Sequence, residues 1–109
     1  MEFGLSEERY RRITSILAQF PEIEKALIYG SRARGSYRTG SDIDLALIGD
    51  AVTFDLILRI AAALEELPYL YSYDFVDYAR LRNQAFKEEI DRDGKVFYEK
   101  GSEIERAAY

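Results

Sequence analysis

Residues 27–48 read LIYGSRARGSYRTGSDIDLALI, and the rest of the chain is organised around them. An apolar run ends in Gly30-Ser31, ten residues follow, and Asp42 and Asp44 then open a second, alternating run. Two carboxylates one residue apart on a strand project to the same face, because strand side chains alternate with a period of two. Their charges repel at short range unless a cation lies between them. Oxygen ligands of this kind suit Mg²⁺, which takes one or two carboxylates and completes its shell with water and substrate phosphates. At the other end of the stretch, Gly30 permits a phosphate to approach the backbone. Ser31 offers a hydroxyl and an N–H, and Arg32, Arg34 and Arg38 supply positive charge. Each half also has a plainer reading: the loop as a solvated hairpin turn, the acids as the wet side of a half-exposed strand. Neither plain reading accounts for both halves standing together at this spacing.

Outward from the stretch, Ser6 is a candidate N-cap with Glu7 and Glu8 in the first turn. The spacing of Tyr10, Ile13, Leu17 and Phe20 predicts a helix over 6–19, stopped by Pro21. KALIY (25–29) reads as a strand, 31–40 as a loop with room for one helical turn, and 42–48 as the second strand. Residues 54–66, with Thr53 as cap, read as a helix whose apolar surface spans Phe54, Leu56, Ile57, Leu58, Ile60 and Leu64. A stripe that broad suits a core and also a partner surface. A third strand is expected over 69–77, with Tyr73 and Phe75 on one face and Asp74 and Val76 on the other. If the aromatics meet the helices, Asp74 emerges beside Asp42 and Asp44, and Asp77, in the opposite phase, caps the next helix. That helix is predicted over 79–91 and is ended by Asp93-Gly94; KVFY (95–98) is a last short strand. The charged tail from Glu99 is expected to fray.

The element order implies one α+β domain over 1–109: a small mixed β-sheet with helices packed on one face and the carboxylate face uncovered. With 48% apolar and 32% charged residues, the composition is that of a folded globular chain. There is no cysteine and no histidine, which excludes disulfides, thiolate nucleophiles and any serine–histidine triad. Chemistry is left to carboxylates, hydroxyls, Lys, Arg and a metal. A formal charge of −5 argues against general nucleic-acid binding. With no signal peptide and no bilayer-length apolar run, the expectation is a cytoplasmic protein that does not enter a membrane.

Gly30-Ser31, ten residues, then Asp42-Ile43-Asp44 resembles the signature of the DNA polymerase β-like nucleotidyltransferases. The wording GSRARG…GSDIDLAL in so short a chain is most similar to the minimal nucleotidyltransferases (MNT), antitoxin-type partners of small helical HEPN proteins. The resemblance implies the nucleotidyltransferase fold and metal-dependent transfer of a nucleoside monophosphate, AMP from ATP, to a hydroxyl. In the toxin–antitoxin pairs, the acceptor is a tyrosine of the HEPN partner. It further implies that Gly30, Ser31 and one or more of Arg32, Arg34 and Arg38 bind the nucleotide. Asp42, Asp44 and a third carboxylate, Asp74, would then hold two Mg²⁺ ions and do the catalysis. The open carboxylate face calls for another chain to complete it, a HEPN-type protein or a second copy. The alternative is a non-catalytic antitoxin or nucleotide-binding regulatory module that acts by complex formation.

Overall fold

The Ser6 hydroxyl accepts the Arg9 N–H and opens helix α1 (Glu7–Ala18) in the computed structural model, which describes residues 2–101. Strand β1 (Lys25–Tyr29) follows, then a short helix α2 (Gly30–Arg34) and strand β2 (Ile43–Ile48). Helix α3 (Phe54–Glu65) is capped by the Thr53 hydroxyl, and strand β3 (Tyr73–Asp77), helix α4 (Gln84–Asp93) and strand β4 (Lys95–Glu99) complete the chain. The sheet order is β3-β2-β1-β4; β1 runs antiparallel to both β2 and β4, while β2 and β3 are parallel. A parallel neighbour requires a crossover, and α3 supplies it. The fold is thus the expected α+β arrangement on a mixed sheet. No helix among the described residues is long and apolar enough to cross a membrane.

Alternation on each strand decides which face is which. Ala26 and Ile28 of β1 and Ile43, Leu45 and Leu47 of β2 join Ile13, Leu17, Leu56, Ile60 and Leu64 of α1 and α3 in the main core. Tyr73 and Phe75 pack against the same core, as the strand phase predicts. The opposite face carries a smaller cluster, in which Tyr29 and Ala46 meet Ile90 of α4, with Leu27, Val76 and Phe86 around them. The carboxylate face is therefore partly roofed by α4 and not bare, since α4 brings its own apolar residues to Tyr29 and Ala46. In β4, Val96 and Tyr98 pair with Leu27 and Ala26, leaving Phe97 as a bulged residue turned wholly into the core. Its carbonyl accepts the Tyr10 hydroxyl at 2.6 Å.

The segment after Gly30 opens as helix α2, the single helical turn for which the sequence left room, and becomes loop after Gly35 in the left-handed region. Four other local expectations are corrected. Strand β3 begins at Tyr73, not at residue 69, because its one ladder partner, β2, itself starts at Ile43 opposite Tyr73. The last helix begins at Gln84 behind an Asn83 cap; residues 78–80 form a separate 3₁₀ turn. Asp77 therefore caps no helix: its carboxylate takes the Arg80 guanidinium at 2.7 Å instead. Glu99 lies in β4 and the Lys100 N–H bonds Glu24, so the fraying expected from Glu99 does not begin there; residues 102–109 of the tail lie outside the described residues. On α3, Phe54 and Leu58 stay 74% and 53% exposed, so the broad stripe is only partly spent on the core.

Truncating the buried centre should cost far more than removing a cap. Leu45→Ala is expected to lose about 2–5 kcal/mol and Thr53→Ala about 1 kcal/mol, both read from urea midpoints at unchanged slope.

Candidate active site

Three residues form a row across the sheet. Tyr29 of β1 pairs with Asp44 of β2, and Asp44 pairs with Asp74 of β3. All three lie in the phase opposite to Ile28, Leu45, Tyr73 and Phe75, on the face that α4 partly covers. Asp42 sits just ahead of β2, exposed at the rim. The sheet thus brings together the three carboxylates singled out from the sequence, and the order of the strands places Asp44 in the middle.

Gly30 fits the other side of this row. Its φ of +72° is a conformation that side chains rarely adopt, and a Cβ there would run into the Asp44 carboxylate. Glycine lets the turn that opens α2 lie directly against an acid. The turn's Ser31 is half-buried, and its carbonyl accepts the Gly35 and Ser36 amides, which ties the short helix off.

The electrostatics record the crowding. The Asp44 carboxyl is raised above its ordinary range, first by burial, then by the neighbouring carboxylates of Asp74 and Asp42, with Arg32 and Arg34 pulling the other way. The Tyr29 hydroxyl donates to Asp74 Oδ2 at 3.3 Å, and burial plus the charges of Asp74 and Asp44 hold its proton on. Tyr29 is itself packed edge-on against Phe86 of α4 at 5.5 Å. A sequence reading that treats KALIY as an apolar strand passes over this hydroxyl; the signal for it is that Tyr29 shares the phase of Asp44 across an antiparallel pair.

The donors are all carboxylate oxygens, and their like charge is only partly offset by Arg32 and Arg34, which fits a hard divalent cation. Among the described residues no three such side chains close into a metal cage. An ion of the Mg²⁺ type does not need one, since it binds through one or two carboxylates plus water and phosphate.

The three loop arginines part company. Arg32 is only 4% exposed: Nε and Nη2 donate to the Ser41 carbonyl at 3.1 and 2.8 Å, and Nη1 donates to Phe3 at 2.9 Å. It braces the loop against the N-terminal segment. Arg34 is exposed, 4.0 Å from Asp93 of α4, and its charge reaches Asp44. Arg38 is exposed and borders a cavity on the α1 side, together with Arg9, Arg32 and Tyr71.

Known proteins resemble this chain in sequence and in fold. The family described as "Polymerase beta, Nucleotidyltransferase" matches residues 11–103. A relative from Methanocaldococcus jannaschii, named as a candidate protein adenylyltransferase, is 32% identical over 85 residues, or 70% of this chain and 79% of that one. A chain from a solved toxin–antitoxin complex with AMP-PNP superposes with a TM-score of 0.62 at 20% identity, covering 88% of this chain and 77% of the other. One from the structure of a tri-AMPylated Shewanella oneidensis HEPN toxin with an MNT antitoxin gives 0.59 at 18% identity, covering 93% and 78%. At such identities these two structures establish the fold alone.

Because the folded state raises the Asp44 pKa, it holds that proton more tightly than the unfolded chain does. Ionised Asp44 therefore costs stability above the raised value, and the cost fades as pH falls toward the ordinary 3.8. Metal-free Asp44→Asn should melt higher than the parent at pH 7, with the gap narrowing in acid. Gly30→Ala should go the other way, losing more than about 1 kcal/mol in the same melts.

Proposed function

The chain belongs to the polymerase β nucleotidyltransferase family and is a nucleotidyltransferase, and from that premise we propose that it transfers AMP from ATP to a hydroxyl in an Mg²⁺-dependent reaction. The observation that carries the proposal is the Asp44–Asp74 pair, set side by side in register against the Gly30 turn. Asp42, Asp44 and Asp74 would hold two Mg²⁺ ions, whose contribution is to neutralise the developing charge on the attacking and departing oxygens of an in-line displacement.

The chain's own residues do the rest. The Gly30-Ser31 turn offers backbone N–H groups and a hydroxyl to the β- and γ-phosphates, where a side chain at position 30 would stand in the way. Arg34, the loop arginine that is exposed and within electrostatic reach of Asp44, offsets the triphosphate charge. Arg32 contributes by holding Ser41, and through it the loop that leads into Asp42. Asp74 accepts the proton of the acceptor hydroxyl while the oxygen bonds to the α-phosphorus; the bond to the bridging oxygen breaks, and pyrophosphate leaves. Tyr29 holds one oxygen of Asp74 and so orients the carboxylate for that task.

The acceptor we propose is a tyrosine of a small helical HEPN-type partner, with this chain as the antitoxin. Support comes from the two solved complexes of similar fold, one a toxin–antitoxin with AMP-PNP and the other an AMPylated HEPN toxin with an MNT antitoxin. The exposed Phe54 and Leu58 on α3 supply apolar surface for a stable complex.

Incubation with labelled ATP and Mg²⁺, with and without the partner, tests the reading. Label should appear on the partner's tyrosine. Asp74→Asn should still bind nucleotide with metal but lose transfer by about 10²-fold or more. Asp77→Asn should keep transfer, because that carboxylate faces the core side and pairs with Arg80. Nucleotide binding with no transfer by the parent chain would instead identify a binding module.

A further inference from the structure

We infer a second anion site on the α1 side of the loop, built to take a phosphate group. Here a cavity of about 250 Å³ is lined by Arg9, Arg32 and Arg38 with Tyr37 and Tyr71. The Arg9 guanidinium lies over the Tyr69 ring at 4.7 Å and the Tyr71 ring at 5.7 Å, and donates to the Tyr71 hydroxyl at 2.8 Å. Arg32 lies over Tyr71 at 5.4 Å and Tyr37 at 5.6 Å. Two guanidinium groups thus share one tyrosine ring, and a third borders the same space.

Among the described residues the cluster has no carboxylate at ion-pair distance; Glu8 acts on Arg9, and Asp44 on Arg32, only from further away. Arg11, Arg12, Arg59, Arg80 and Arg92 each have a carboxylate within 4.0 Å, whereas none pairs with Arg9, Arg32 or Arg38 among the described residues. In a chain of net charge −5, carboxylates are in excess, so three arginines gathered without one form a local exception. Ring faces offset part of the repulsion, but a guanidinium carries five N–H donors, and Arg32 spends only its three bonds on carbonyls. An oxyanion with several acceptor atoms satisfies the remainder, and a dianionic phosphate matches three converging guanidiniums better than a single carboxylate does.

The site is distinct from the triphosphate position proposed above. It lies beyond Arg32, on the side of Phe3 and α1, and uses Arg9, which the transfer reaction does not. A phosphate held there would bridge Arg9 of α1 to Arg38, next to the loop that Arg32 ties at Ser41.

Calorimetry with inorganic phosphate in metal-free buffer tests it independently of transfer. One binding event is expected, weakened roughly tenfold or more by Arg9→Gln or Arg38→Gln, weakened by salt, and retained in Asp44→Asn. Amide shifts at Tyr37 and Gly40 on phosphate addition should accompany it, and melts should confirm that both glutamine variants fold. Binding that ignores both glutamine substitutions, or that fails in Asp44→Asn, would place the phosphate elsewhere and overturn the inference. So would a polyglutamate peptide that binds as tightly as phosphate, or no binding at millimolar phosphate.

Discussion

Three carboxylates gathered on one face of a small sheet repel one another, and the surrounding structure works to hold them there. The restoring force is supplied by the other face of the same strands: Ile43, Leu45 and Leu47 are wholly buried, and turning β2 over to relieve the acids would expose all three. Tyr73 and Phe75 fix β3 in the same way. The raised pKa of Asp44 is the visible sign of that opposition, charge against hydrophobic burial, with burial prevailing.

The same constraint explains how the loop is divided. Arg32 bonds internally to two backbone carbonyls and lies over two tyrosine rings, and so ties the loop between α2 and β2 to the N-terminal segment. Arg34 keeps its charge exposed near the acids, and Arg38 faces away toward α1. Three residues that look equivalent in the string RARGSYR therefore act in three places. Gly30 makes the arrangement possible, since nothing larger fits between the opening of α2 and the Asp44 carboxylate.

Much of this was legible before any coordinates. Alternation in DIDLALI and in YDFVD was enough to put Asp44 and Asp74 on one face, and Ser6 and Thr53 announced the starts of α1 and α3. What escaped the sequence depends on partners far along the chain. Tyr69 and Tyr71 have strand-like composition, but they stack on Arg9 of a distant helix instead of joining a ladder. Asp77 has the right residue type for a cap, yet the following segment is a 3₁₀ turn and the cap falls to Asn83. Burial of Arg32 contradicts the ordinary expectation for a charged residue in a Gly- and Ser-rich loop, and only the carbonyls of Phe3 and Ser41 account for it. The role of α4 was hidden because its apolar residues are few, and only Ile90 is fully buried.

The parallel pairing of β2 with β3 has a consequence for how the molecule is born. β1, α2 and β2 form a local hairpin-like unit, so the glycine turn and the first two acids can take shape early, as soon as that stretch of chain is synthesised. Asp74 joins them only after α3 has folded across and β3 has been delivered alongside β2, a non-local closure of the slow kind. A nascent or nicked chain lacking β3 would thus present the Gly30 turn and the first two acids without the third carboxylate. The three acids are thus gathered only with the third strand to be made, and β4 then closes the sheet along the free edge of β1.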